Sequence, residues 1–439
     1  MKFPDFRKLA AWPEGLRTGL DKLVAASERI KDLDELFRRV TAIDNKLDRM
    51  WTDLDSLRTR ISCYVGDGIA LTSAVDDTIL YVNSNDIGPP VNLMYGGRYE
   101  EENLEVLLSF VKPDSVFIDI GANVGFYALQ IARRLTAGGK VYAFEPHPKL
   151  ADLLGRNAYV NGMAASIECF AFALSDQTGP ADMQYPVRHL GGGQVAGAGE
   201  HAGHTLVKSE MRRLDDVLGP EFICDLVKID VEGHEMNVLN GMRGIVGRSP
   251  GIKILFEKLQ PNAGNETSLE SYVQEFGLRL YCVEPDSSLR ELGSGELREW
   301  GGYVLAAAPA SLSDGVTRAQ FSIFPAQLRA PAGVCAAPPS PNEVLHCGGD
   351  SGTLLFHGPY WFLRRGRWRC KLHGTIRGSV AILILERFGH VVARFTLDET
   401  QNEHVLTLNR DLLNFECAAR VASNTAEIDI RRLQFIRET

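Results

Sequence analysis

The stretch Ser115-Val-Phe-Ile-Asp-Ile-Gly-Ala-Asn-Val-Gly-Phe-Tyr127 constrains this chain more than any other. Val116 to Ile120 is a short apolar run interrupted only by Asp119, the pattern of a strand buried on both faces of a parallel sheet. Gly121, Ala122, Asn123 and Gly125 make a small-residue turn, and an apolar-periodic helix is expected from Val124 to about Ala137. With no Cβ in the way, backbone N–H groups of the turn and helix start can approach a bound molecule. A second strand, Lys140 to Phe144, is closed by Glu145. An acid there in a βαβ unit is placed to accept hydrogen bonds from both hydroxyls of a ribose. The segment predicts a parallel α/β sheet with an adenosine-type ligand at its carboxyl edge.

Glycine spacing selects among such ligands. A dinucleotide fingerprint, G-x-G-x-x-G, seats a pyrophosphate on the helix N-terminus. Here the turn is Gly121-Ala-Asn-Val-Gly125, with Asp119 two residues before it. An acid at that point repels a pyrophosphate but suits the ammonium of an amino acid, held directly or through water. The pattern fits S-adenosylmethionine, which carries an aminocarboxypropyl group and no phosphate. Candidate cofactor contacts are therefore Asp119, Gly121, Ala122, Asn123, Gly125 and Glu145, with Ser175 and Asp176 after the third strand at the expected adenine edge. Asn123 has two readings, a donor to the cofactor's carboxylate or a residue that tolerates a left-handed turn.

Residues from about 62 to 308 resemble the FkbM family of S-adenosylmethionine-dependent methyltransferases. The likeness rests on Gly96-Gly-Arg-Tyr-Glu100, Asp119-Ile-Gly-Ala-Asn-Val-Gly125, Phe144-Glu-Pro146, Asn157, Asn161-Gly162 and Ala173-Leu-Ser-Asp176. It continues through Leu214-Asp-Asp216, Lys228-Ile-Asp-Val-Glu-Gly-His-Glu235 and Phe256-Glu257, all in family order. The resemblance implies a class I methyltransferase (Rossmann-like) sheet and O-methylation, often of a sugar hydroxyl. It also puts Tyr99 and Glu100 at a position that could close over the cofactor; Glu100 as a plain helix-start charge is the other reading.

Chemistry is expected where the carboxyl ends of the strands converge. The acceptor oxygen must lose a proton, which a carboxylate, a histidine or a divalent cation can assist. In strand geometry Lys228, Asp230 and Glu232 share a face, and Glu257 ends the next strand. Asp230 is the leading candidate base or acceptor-positioning residue, with Glu232 and Glu257 behind it. The alternative is that Asp230 and Glu232 fix the turn and bind Lys228. A divalent cation among these acids stays open.

Four further segments complete the reading. Over roughly 13–61, apolar residues from Ile43 onward step by 4, 3, 4, 3 and 4, a heptad seam suited to a coiled coil and homo-oligomerisation; a helix folded back on the catalytic domain is the alternative. Between Gln177 and Arg213 lies a glycine-rich insert, read as a mobile lid or acceptor loop whose His189, His201 and His204 are solvated. Residues 309–344 form an Ala/Pro-rich linker, and recurrent β-rich runs over 345–439 predict an antiparallel β-sandwich. That last segment resembles modules of bacterial glycan-modifying enzymes, and Tyr360, Trp361 and Trp368 are candidates to stack on sugar faces, unless alternation makes them core. The 439-residue chain, with net charge −9, argues against nucleic acid as a partner. Its eight cysteines lack zinc spacing and read as buried free thiols, and no apolar run reaches membrane-spanning length, which together suggest a cytoplasmic protein. The preferred function is methylation of a glycan hydroxyl. The alternatives are methylation of a small metabolite, or a non-catalytic glycan-binding scaffold.

Overall fold

The computed structural model describes residues 62–74, 76–136, 138–196, 203–258, 266–284, 287–293, 295–312, 320–323, 335–336, 345–351, 353–356, 359–363, 366–386, 390–408 and 412–438. The coiled-coil reading of 13–61 and the linker reading of most of 309–344 lie outside them.

The central sheet is built from Val116–Ile120 (β1), Lys140–Phe144 (β2), Ile167–Phe170 (β3), Leu226–Ile229 (β4), Lys253–Lys258 (β5), Arg279–Val283 (β6), Leu289–Glu291 (β7) and Gly302–Ala307 (β8). Its spatial order is β7-β6-β8-β5-β4-β1-β2-β3. Neighbours from β5 to β3 are parallel, while β8 runs antiparallel between β5 and β6. This is the class I methyltransferase arrangement. Chain order reverses between β1 and β4, which opens a crevice at their carboxyl ends. Both faces are covered: Phe117 of β1 joins one hydrophobic core, Ile118 and Ile120 the other. That double burial explains the near-continuous apolar runs of the strands.

The helix after β1, Phe126–Ala132 (α1), is shorter than its apolar periodicity predicts. It stops because Arg134 N turns back to Ile131 O and Thr136 N bonds Pro113 O, redirecting the chain into β2. Helix α2, Pro148–Val160, carries a three-stranded antiparallel sheet of Cys63–Gly66, Ile69–Ser73 and Ile79–Asn83. Two family-matching asparagines make that junction. Asn157 accepts from Tyr81 N at 2.6 Å and donates to Val124 O at 2.8 Å, and Asn161 brackets Ile79. Their role is therefore structural.

The glycine-rich insert is a correction. Its described part is mainly a sheet, in which Gly179–Pro186 pairs antiparallel with His204–Arg212 and Ala173–Leu174 and Gln194–Val195 extend it, while 187–193 remains a turn that carries Gly191–Gly193. Beyond residue 345, two antiparallel sheets share one core, in which Leu372 and Phe435 of one sheet meet Ile382 and Phe356 of the other. Trp368 belongs to that core at 2 % exposure and cannot stack on a sugar, a second correction; its strand alternates inward there. The side chains of Tyr360 and Trp361 lie outside the described set. The cysteine reading also changes. Cys63 and Cys169 are exposed, and Cys347 is disulfide-bonded, with Cys335 opposite it in strand register. Among the described residues no helix is long and apolar enough to cross a membrane.

Candidate active site

Strand register assembles the site. Ile229 lies opposite both Ile120 and Phe256, Ile120 opposite Phe144, and Glu257 opposite Tyr303. The residues just past these pairs therefore run along the sheet edge as Glu145, Gly121, Asp230, Glu257 and Tyr303. They line one cavity of about 270 Å³ at the reversal of strand order, except that Tyr303 backs it from behind Asp230. Gly121 cannot be replaced there: its φ is +77°, and a Cβ would stand 1.8 Å from Asp230 O.

One end of the cavity suits a nucleoside carrying an amino acid. Asp119 is fully buried, and its Oδ2 accepts from Ala128 N at 3.1 Å. Its Oδ1 has no partner among the described residues, and burial pushes the carboxyl up to about 6. Glu145 accepts from Asn123 N at 2.9 Å and His147 N at 2.8 Å. Burial raises its carboxyl to about 7 despite those amides. Asn123 has φ +53° and its Oδ1 takes Val124 N, so it supports the turn itself. Tyr185, on the insert, is buried with its hydroxyl unpartnered, and its ring meets His147 edge-on at 4.6 Å.

The other end is acidic. Lys228 is buried, gives its Nζ to Asp230 Oδ2 at 2.9 Å and rests 4.7 Å above the Tyr127 ring. Tyr303 donates to the same Asp230 oxygen at 3.0 Å. Tyr127 donates to Glu100 Oε2 at 2.8 Å, and Glu100 holds a left-handed φ of +46° that turns it toward the cavity. Glu232 and Glu257 line the same wall. Burial, then the charge of Asp230, raises Glu232 to about 7 and Glu257 to about 8. No cluster of metal-ligating side chains occurs among the described residues.

Residues 119–280 match the model of the methyltransferase FkbM domain. This segment is an FkbM methyltransferase domain. Among curated relatives, the hexuronic acid methyltransferase AglP of Haloferax volcanii is 30% identical over 146 residues, covering 33% of this chain and 57% of that protein. Methyltransferase sdnD of Sordaria araneosa is 30% identical over 161 residues, covering 30% of this chain and 61% of that one. The chain thus spans about three fifths of the length of these relatives. A solved SAM-dependent O-methyltransferase from Thermotoga maritima is 15% identical at TM-score 0.30, covering 49% of this chain and 69% of that one.

S-adenosylmethionine is the cofactor of such a domain, and the cavity fits it. An unpartnered carboxylate oxygen faces the amino-acid end, an acid ends β2 for the ribose, and no arginine among the described lining residues awaits a phosphate. Of the expected FkbM contacts, Glu100, Asp119, Gly121, Ala122, Asn123 and Glu145 line the cavity, as do Asp230, Glu232 and Glu257. Three do not. Gly125 sits at the start of α1 with φ +87°, where a Cβ would press on Leu154 at 3.1 Å. Ser175 and Asp176 bond His234 and Asn237 and so anchor the helix Glu235–Gly241.

His189, expected as a solvated loop histidine, is a further correction. It lines the cavity, and its Nδ1 lies 3.3 Å from Asp86 Oδ1. Asp86, wholly buried, also accepts from Gly88 N at 2.8 Å and Leu190 N at 3.0 Å. This latch fastens the insert to the loop before residue 89, so segment 188–193 is pinned across the FkbM cavity rather than free.

Proposed function

We propose that the chain is an S-adenosylmethionine-dependent O-methyltransferase acting on a sugar hydroxyl of a surface glycan or its precursor. The observation that carries this reading is one cavity joining the Asp119–Gly121–Glu145 cradle to the acid wall of Glu232 and Glu257. The bound donor supplies an electrophilic methyl group on a sulfonium. Asp119 Oδ1 would take its ammonium and Glu145 its ribose hydroxyls. Opposite the methyl group, a carboxylate must receive the acceptor's proton as its oxygen attacks. Glu257 suits that task best, because a base held near 8 is matched to neutral operation. Asp230, tied to Lys228 and Tyr303, serves as a fixed anion that orients the wall. The Haloferax volcanii relative, a hexuronic acid methyltransferase, supports a sugar acceptor.

Calorimetric titration with S-adenosylhomocysteine, followed by transfer of labelled methyl to a glycoside panel, tests the reading. Binding with transfer supports it; absence of both sinks it. Self-association through 13–61 belongs to the same proposal and predicts that deleting that segment lowers the sedimentation mass. So does a cytoplasmic setting, which fits the six free thiols among the described residues, with the Cys347 disulfide as the exception. Tyr360 and Trp361 remain the candidates for sugar contact in the C-terminal module.

A further inference from the structure

Resting on that methyltransferase reading, we infer that the acceptor ring bears no carboxylate: the site takes a neutral sugar that presents its hydroxyls as donors, not a uronic acid. The site is the cavity itself, which already holds the unpartnered, buried Asp119 Oδ1 and Tyr185 hydroxyl. Its acceptor end offers Glu100, Asp230, Glu232 and Glu257. Among the described lining residues Lys228 is the one lysine or arginine. That ammonium is 3 % exposed, bonded to Asp230 and covered by the Tyr127 ring, so it is not free to meet a substrate anion. The two cavity histidines are engaged as well. His189 faces Asp86, and His234, held toward its neutral form by burial, bonds Ser175.

Such a wall accepts hydrogen bonds, and the basic groups that act on it, Lys228 and His189, are already engaged by Asp230 and Asp86. Hydroxyls satisfy it, since each carboxylate oxygen can take an O–H donor and a 1,2-diol spans both oxygens of one acid. A uronate would bring a further acid into a half-buried site that already holds Glu100, Asp230, Glu232 and Glu257 and in which burial already disfavours carboxylate charge. Burial and then the charge of Asp230 hold both Glu232 and Glu257 above the ordinary carboxylate range, and Glu232 adds to the rise at Glu257. The predicted acceptor thus differs from the hexuronic acid that names the Haloferax volcanii relative.

Saturation-transfer NMR on the full chain, loaded with S-adenosylhomocysteine, tests this with two probe series. The methyl glycosides of glucose, galactose, mannose and rhamnose form one, and those of glucuronic and galacturonic acid the other. We expect at least one neutral glycoside to saturate and its uronic counterparts to bind at least ~10-fold more weakly. The Glu232→Gln, Glu257→Gln double variant should narrow that gap. A uronoside binding as well as its neutral counterpart overturns the inference, as does a silent neutral series or a gap unchanged in the double variant. A thermal shift with S-adenosylhomocysteine in the same sample separates the causes. Its loss removes the methyltransferase reading and this inference with it; its presence with failed selectivity removes the inference alone.

Discussion

Tyr185→Phe tests the cofactor end with two effects of opposite sign. In the free protein the phenol oxygen is buried with no partner. An unmade buried hydrogen bond costs ~1–3 kcal/mol, so removing the hydroxyl should stabilise the free protein by ~1 kcal/mol. For a domain of this size that raises the melting midpoint by ~2–4 °C. The aromatic packing survives, because the ring stays wedged between His147 and Gly193, where even a Cβ would approach Tyr185 Cε1 to 2.0 Å. When a nucleoside fills the cavity, the wild-type hydroxyl gains a partner that phenylalanine cannot offer. The loss of ~1–2 kcal/mol on binding corresponds to ~5–30-fold in dissociation constant. Calorimetry should find that loss with both S-adenosylhomocysteine and 5′-methylthioadenosine, which lacks the amino-acid end, because Tyr185 stands by Glu145 and His147. Asp119→Asn should weaken only the former. A midpoint that falls in Tyr185→Phe, or binding within twofold of wild type for both ligands, would refute the assignment.

Three other perturbations follow from the same geometry. Gly121→Ala forces a Cβ onto Asp230 O from a left-handed backbone, so overpacking and strain together should cost at least ~3 kcal/mol; a variant melting within 2 °C of wild type would contradict this. Burial raises Asp119, Glu145, Glu232 and Glu257 to about 6, 7, 7 and 8 from ordinary values of 3.8 or 4.5. As pH rises the unfolded chain ionises first, so the stability these groups contribute is whole below about 4 and lost between there and about 8. Ligand-free Glu257→Gln should therefore lose less stability than wild type between pH 5 and 8, and parallel melting curves would contradict it. Trp368→Ala opens a cavity in the C-terminal core and should destabilise that module by ~3–5 kcal/mol, seen as an earlier unfolding step, with S-adenosylhomocysteine affinity unchanged.

What could be read from the sequence and what could not divide along a physical line. Asp119, Gly121 and Glu145 lie within one βαβ unit, and Asp230 and Glu257 end strands, so topology alone carries them to a shared edge. Their acidities were not legible, because they depend on burial and on one another rather than on residue type. Gly125 shows the converse: a glycine that looks made for a ligand serves a left-handed turn against Leu154. The same holds for Ser175 and Asp176, whose partners His234 and Asn237 lie about sixty residues ahead.

The insert escaped for a stronger reason. Its glycines, read locally, argue for a mobile loop, yet Gly191 and Gly193 are where the chain passes Asn123 and the Tyr185 ring too closely for a side chain. What turns that segment into a wall of the cavity is Asp86, which takes Leu190 N and His189 from across 103–104 residues. No periodicity or spacing marks a contact of that range, and a lone aspartate before Gly88 reads as an ordinary turn residue. At Gly191 and Gly193, then, glycine marks how closely the insert packs on the site.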